Sequence, residues 1–381
     1  PLVLLFFTFL FSWWRGCMMK QEVAFVLEFH DIFELPYMFL IISSAFRTEE
    51  DREMLWKIIL YAAIAKAFDG ASLYFFSHAA TTRWGVVQSW RDGYMLGITV
   101  IGTLILLNYR GTSLRPLRRL LLWIAPVLSL CFMMSFRRTF FVGTFVCMTV
   151  MFFSMPSGRR GRHFWFVSAI LGVAVLTVFA TNPIEVVTRL SGITSPQNEG
   201  SAYIRLMEWP NVIQNILHHP LFGVPVGIPW KTYYRMPLSA VYTTLGTHST
   251  YLYWPLRGGI PGLITFIWLM SKAWKSALIN YRLRTTEEDF FFGQWGIQML
   301  VMYQVACFFG LMYADMLTGV LAVILTAFQL QTRKVTGRAS LREVAFLQTM
   351  RQGKLVYREP LLRKLYALVT KRGLRAQLSQ T

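Results

Sequence analysis

The sequence predicts an all-α polytopic membrane protein, and three observations lead there. Of its 381 residues 55% are hydrophobic and 16% aromatic, while only 15% are charged, a balance far from that of soluble domains. Apolar runs of helix length recur along the chain, each near the roughly 20 residues that a bilayer crossing needs. The Lys and Arg residues, which give a formal net charge of +19, gather in short runs between these stretches, as the positive-inside bias requires.

Taken in order, the expected spans are Pro1–Trp14, Glu28–Phe46, Met54–Phe76, Gly93–Tyr109, Leu120–Phe136, Thr139–Met155, His163–Thr181, Ser249–Ser271, Phe290–Gly310 and Leu311–Gln331. That makes about ten helices. The chain opens at Pro1 inside an apolar run, so about one or two further spans are expected ahead of it, for about 11–12 in all. The organisation read from this pattern is N-terminal transmembrane helices over 1–181, a polar loop over 182–247, C-terminal transmembrane helices over 248–331 and a basic tail over 332–381. The tail alternates basic and apolar residues at helical spacing, which suits amphipathic helices on an anionic cytoplasmic leaflet. With one crossing per span, the basic runs Arg110–Arg119, Ser157–Arg162 and Lys272–Arg284 share the cytoplasmic side with the tail, and the 182–247 loop faces the periplasm. Arg15–Lys20 is the one basic run on the wrong side.

Composition and motifs exclude several function classes. No basic stripe with interleaved aromatics lies outside the apolar runs, so a nucleic-acid partner is not expected. Cys17, Cys131, Cys147 and Cys307 sit in or beside apolar segments without CxxC spacing, which points to neither disulfides nor zinc. There is no phosphate-binding GxxxxGK[ST] loop, no HExxH and no GxSxG, and no DxD pair. No metal is therefore expected, and phosphate chemistry on the outer face would draw its positive charge from arginine. The chain lacks internal repeats and the paired Gly/Pro-broken helices of many transporters.

The residues able to do chemistry lie around the 182–247 loop. Arg137 and Arg138 occupy the short turn between two apolar runs. Each can simply snorkel to headgroups; together they can grip a diphosphate through paired N–H donors. Arg205 lies in an amphipathic segment with Trp209, too short to cross a bilayer, and either pairs with Glu208 at the surface or adds a second phosphate-binding cation. His248 begins a span where the outer leaflet would meet water, either as a hydrogen-bonded structural residue or as a general base. His218 and His219 precede Pro220 and read as turn or cap residues.

The order of these elements resembles a known family. Arg137-Arg138 is followed by Arg205 with Trp209 four residues on, PLFG at Pro220–Gly223, HSTYL at His248–Leu252 and the glycine-rich Arg257–Gly262. From about Ser135 to Gly262 the chain is similar to the O-antigen ligase-like superfamily of bacterial glycosyltransferases, which comprises O-antigen ligases and polysaccharide polymerases. One departure is visible: members often follow PLFG with one residue and a glycine, whereas here the next glycine is Gly227.

The resemblance implies a glycosyltransferase C-like helical fold in the bacterial inner membrane, with a periplasmic catalytic loop that contains amphipathic helices. It implies inverting transfer of a glycan from a polyprenyl (undecaprenyl) diphosphate, without a metal or other cofactor. The acceptor would be lipid A-core for a ligase, or a second lipid-linked repeat unit for a polymerase, in lipopolysaccharide or surface-polysaccharide biosynthesis. Carried onto this sequence, His248 is the expected catalytic base. Arg137, Arg138 and Arg205 bind the donor diphosphate, and Trp209, Tyr251 and Tyr253 contact sugars or serve as interfacial anchors. From another class, a flippase or exporter of the lipid-linked oligosaccharide would use ionisable residues within spans, for which Lys66, Asp69 and Asp315 are the candidates.

Overall fold

The computed structural model describes residues 1–19, 22–76, 90–109, 114–134, 138–154, 160–161, 200–236, 246–283, 286–309 and 321–334, with single positions 172, 176 and 337. Apart from positions 172 and 176, the expected span His163–Thr181 lies outside the described residues, as do Arg137, Asp315 and the tail beyond 337. A compact unit covers Pro1–Val335 and a second unit Thr336–Thr381. Only Gly337 of the second is described.

Every regular element among the described residues is an α-helix: α1 (Leu2–Met18), α2 (Glu22–Ala45), α3 (Glu49–Phe76), α4 (Trp90–Leu107), α5 (Arg115–Met134), α6 (Arg138–Ser154), α7 (Gly200–His218), α8 (Thr250–Arg282) and α9 (Glu287–Phe309), then α10 across residues 321–334. Local chemistry sets several starts. At α3, Asp51 N–H donates to Thr48 Oγ1 while Asp51 Oδ2 accepts the main-chain N–H of Thr48 and of Arg47, both at 2.7 Å. This reciprocal cap satisfies donors that a helix start leaves open. Those donors hold the Asp51 carboxyl below the usual carboxylate range, so the cap is complete above the unfolded-state pKa and is lost as pH falls through the folded one. Pro116 sits in the first turn of α5, where no N–H is needed.

Helix α9 is the centre of the bundle and packs against α4, α6 and α8. Its Trp295 is fully buried, with ring centroids 4.9 Å from Trp56 and 5.4 Å from Phe291, and its indole N–H donates to the Ile98 carbonyl at 2.8 Å. Polar side chains in α9 have specific partners: Gln294 Nε2 donates to Ser154 Oγ at 2.6 Å. Among the described residues no helix is long and apolar enough to cross a membrane. Glu28, Asp31 and Glu34 interrupt α2, Lys57, Lys66 and Asp69 interrupt α3, and glutamines interrupt α9. The all-α class is as the sequence predicts, whereas the ten crossings are not evident from helix length and hydropathy alone.

The bundle has two chemically different ends. At one, the Tyr281 hydroxyl (α8) donates to the Ser154 carbonyl (α6) at 2.6 Å, and Gln331 (α10) donates to Asp289 (α9) at 3.2 Å. Tyr109, just past α4, meets Phe291 (α9) edge-on at 6.4 Å. Arg115, Arg118, Arg119, Lys275, Arg282 and Lys334 belong to these helix ends. At the other end, Val142 (α6), Tyr251 (α8) and Gln304, Val305 and Phe308 (α9) share one cleft. Lys66 and Asp69 pair at 3.7 Å across one turn of α3, both substantially exposed.

The cleft end owes its shape to a break in α8. Gly259 leaves the helix at φ +60°, and Gly223 in the turn packed against it has φ +65°. The two backbones touch: a Cβ on Gly223 would stand 2.5 Å from the Leu256 carbonyl oxygen, and one on Gly259 would stand 2.4 Å from that of Leu221. Main-chain bonds close the contact, from Val224 N–H to Leu256 at 2.7 Å and from Ile260 N–H to Pro220 at 2.8 Å. Arg257, fully buried, donates to the Pro225 and Ile228 carbonyls at 2.8 and 2.7 Å. From α1, Ser12 donates to the Arg257 carbonyl, and Arg15 donates to the Phe222 and Gly223 carbonyls at 3.0 and 3.3 Å. PLFG and the Arg257–Gly262 run are thus two halves of one backbone contact. Gly227, at φ +81°, supplies the turn at the position where the sequence departs from the family pattern. Arg15, the basic residue out of place by charge count, is a clasp on this turn.

Replacement of Gly223 or Gly259 by Ala forces a side chain into a left-handed backbone and against a carbonyl. The backbone strain alone is on the order of 1–3 kcal/mol. Thermal unfolding of each variant in detergent should begin several degrees below wild type, whereas Gly161→Ala, whose Cβ meets nothing within 4 Å, should leave the transition in place.

Candidate active site

Helix α7 sets one wall of the site. Its residues Val212 and Ile216 join Val224, Trp230 and Leu256 in a small apolar cluster, and this anchors α7 on α8 beside the break. The same face of α7, three to seven residues before Val212, carries Arg205, Glu208 and Trp209.

Glu208 is fully buried. A buried carboxylate costs several kcal/mol unless it is paired and hydrogen-bonded. Here it takes both donors of one residue: the His248 main-chain N–H at 2.6 Å on Oε1, and the ring at Nδ1, 2.5 Å from Oε2. The carboxylate is an acceptor, so Nδ1 carries the proton and Nε2 is left with its lone pair. About 38% of the His248 side chain is exposed, enough for the imidazole to meet a ligand. This corrects the reading of Glu208 as the surface partner of Arg205: it lies inside the protein and holds the histidine. Sequence alone offered the charge of Glu208 in an otherwise apolar helix face as a signal, but not its partner forty residues on.

The other expected site residues divide clearly. Trp209 packs edge-on against Phe308 at 5.3 Å, and Phe308 lines the cleft, whose volume is about 580 Å³ and whose walls are almost wholly apolar. Tyr251 lines the same cleft, and its hydroxyl donates to Gln304 Oε1. Arg205 is half-buried one turn before Trp209 on α7. Arg138 is the first residue of α6, one turn before the cleft residue Val142. Arg137 lies outside the described residues. Tyr253 does not fit its expected sugar contact: it is fully buried, stacked on Phe9 and edge-on to Trp254. Helical phase explains this, since residues two apart on a helix point about 200° apart, so Tyr251 and Tyr253 cannot share a face. His218 ends α7 and stacks on Tyr233 at 4.9 Å, as a terminal residue.

Among the described residues no group of three or more His, Cys, Asp or Glu side chains is placed to hold a metal ion. All four cysteines are free thiols, and Cys131 and Cys147 donate to the carbonyls of Ala67 and Gln298. The groups brought together are an imidazole fixed by a carboxylate, an apolar cleft reached by Trp209 and Tyr251 on the same two helix segments, and Arg205 and Arg138 on α7 and α6.

Comparison with known families covers the segment that carries these residues. Residues 120–267 match the family model described as O-Antigen ligase. No curated protein matches the chain. The match covers less than half of the chain, yet it runs from α5 through the break in α8 and so contains Arg138, Arg205, Glu208, His248 and the turn seated on Gly259. Over this stretch the chain is similar to the O-antigen ligase family.

Proposed function

We propose that the protein is an inverting, metal-independent glycosyltransferase of the O-antigen ligase or polymerase type. It takes a glycan from a polyprenyl diphosphate and transfers it to a sugar hydroxyl of a lipid-linked acceptor. The observation that carries this reading is the Glu208–His248 pair, with Tyr251, three residues after the histidine, lining an apolar cleft. With Nδ1–H committed to Glu208, Nε2 accepts the proton of the attacking hydroxyl. The hydroxyl oxygen forms its bond to the anomeric carbon as the bond to the diphosphate oxygen breaks, and the electron pair leaves with the diphosphate. Negative charge grows on that leaving group, and Arg137, Arg138 and Arg205 are the residues assigned to neutralise it. The apolar cleft suits the lipid part of the donor, and Trp209 and Tyr251 are the aromatics assigned to sugar rings.

The site faces the periplasm in this proposal, with the helices in the bacterial inner membrane. Two observations support insertion. Trp123, Phe145 and Phe153 stand largely exposed, an arrangement that lipid would cover and water would not favour. Cations also crowd the bundle end opposite the cleft, as cytoplasmic ends do. The flippase alternative gains nothing from Lys66 and Asp69, which pair with each other at an exposed position.

Purified protein in lipid, given a polyprenyl-diphosphate oligosaccharide alone and then with lipid A-core, separates the two enzymes: a ladder of longer lipid-linked glycans from the donor alone identifies a polymerase, and product only with lipid A-core a ligase. His248→Ala should lower transfer by about 10²–10⁴-fold with donor binding retained. Glu208→Gln should fall between wild type and that variant, because it keeps the shape but weakens the hold on the imidazole. Arg205→Ala should weaken donor binding or slow transfer, and Arg205→Lys should rescue it poorly, since one ammonium cannot reproduce the guanidinium's paired donors. Turnover should persist in EDTA; a requirement for Mg²⁺ or Mn²⁺ would rule out the metal-free mechanism.

A further inference from the structure

Between Trp230 and Met236 the chain runs as a strap along α7, and two buried asparagines on that helix hold it. Asn211 Oδ1 accepts the N–H of Tyr233 at 2.6 Å and of Tyr234 at 2.7 Å, and its amide donates to the Tyr234 carbonyl at 3.3 Å. One turn on, Asn215 accepts from Lys231 N–H at 2.9 Å and donates to its carbonyl at 2.7 Å. Buried amides cost free energy unless their bonds are made, so a strap held by two of them is a built surface. Its near end lies close to the histidine in the chain fold: the Trp230 indole N–H donates to the Gly246 carbonyl at 2.8 Å, two residues before His248.

What the strap presents is cationic and aromatic. Lys231, Thr232, Tyr234 and Arg235 are exposed. The Tyr233 ring stacks on His218 at 4.9 Å, the Lys231 ammonium stands 5.2 Å from its centroid, and the exposed Tyr234 accepts at its hydroxyl from Gln214 at 3.4 Å. No Asp or Glu occurs in the sequence between Glu208 and Glu287. The segment that forms the strap and the turn therefore brings positive charge without carboxylates of its own, a composition that favours an anionic ligand. A tyrosine beside two cations fits a charged sugar, with a ring to stack on and donors for its anionic group.

Resting on the glycosyltransferase reading, we propose that residues Lys231–Arg235 form the acceptor subsite, and that the acceptor sugar they take carries a phosphate or carboxylate. The donor, by contrast, belongs to the cleft and the arginines around it. The strap then sets acceptor choice without touching the reacting atoms.

The test uses the full chain in nanodiscs of neutral and of anionic lipid, with lipid-linked acceptors of equal length that end in glucose, in glucuronic acid or in a phosphorylated hexose. Wild type should use the two charged acceptors at lower KM than the neutral one. The double variant Lys231→Ala/Arg235→Ala should raise KM for the charged acceptors by about tenfold or more, the loss of a charge-assisted contact, with kcat, donor hydrolysis and the KM for the neutral acceptor unchanged. Lys231→Glu should do the same more strongly, with an unshifted melting temperature to verify folding. An equal effect on all acceptors, or one that appears only in anionic lipid, would assign the cations to the strap or to headgroups and overturn the proposal, as would an unchanged KM. Wild type that transfers to none of the acceptors removes the glycosyltransferase reading and the subsite with it.

Discussion

The functional end of the molecule depends on a helix that stops being a helix. Were α8 continuous through Gly259, the turn from Pro220 to Ile228 would have no recess to enter, because its backbone would collide with that of the helix. The break opens the recess, and Gly223 fills it from the other side with the same left-handed geometry. Arg257 then reaches the carbonyls of Pro225 and Ile228, and these bonds close the joint. An arginine buried at 0% exposure needs such partners, and the two carbonyls supply them.

From that joint the site is assembled outward. With the turn seated, Val212 of α7 and Trp230 of the strap pack with Leu256 of α8, which fixes the height at which α7 crosses the start of α8. Glu208 therefore reaches the first residues before α8, and the imidazole is held at both its backbone and its ring. The same rigid frame keeps the ends of α6, α8 and α9 apart far enough to leave a cleft. Packing supplies the scaffold, and the buried hydrogen bonds decide where the reactive groups stand.

The helices were largely legible from the chain because apolar runs have a length and helix caps have residues. The expected span Met54–Phe76 ends where α3 ends, and its start differs only because the Thr48–Asp51 cap allows a polar first turn. Gly93–Tyr109 and α4 differ by a few residues at each end. The motifs PLFG and Arg257–Gly262 were legible as motifs but not as a pair, since nothing in sequence says that two glycines 36 residues apart will touch. Glu208 was misread for a related reason: Arg205 sits at helical spacing and offers an obvious partner, while the true one comes from another element. Tyr253 was misassigned because Tyr251 and Tyr253 both stand in the apolar first turn of α8, where residue type alone does not say which of the two meets the cleft. Arg15 was an anomaly of charge counting until its acceptors were seen.

The grip of Glu208 on both the main chain and the ring of His248 has a bearing on how chains of this kind are recognised. The histidine element by itself is five common residues at the head of an apolar helix, and such strings arise by chance in many membrane proteins. A glutamate four residues before or after the wrong position would leave that histidine an ordinary polar side chain. The diagnostic unit is therefore composite: an acidic residue on an amphipathic helix, a fixed intervening turn with its glycine, and the histidine, each uninformative without the others. A sequence search weighted on that triple would separate chains that keep this carboxylate–imidazole pairing from those that share only its hydrophobic surroundings.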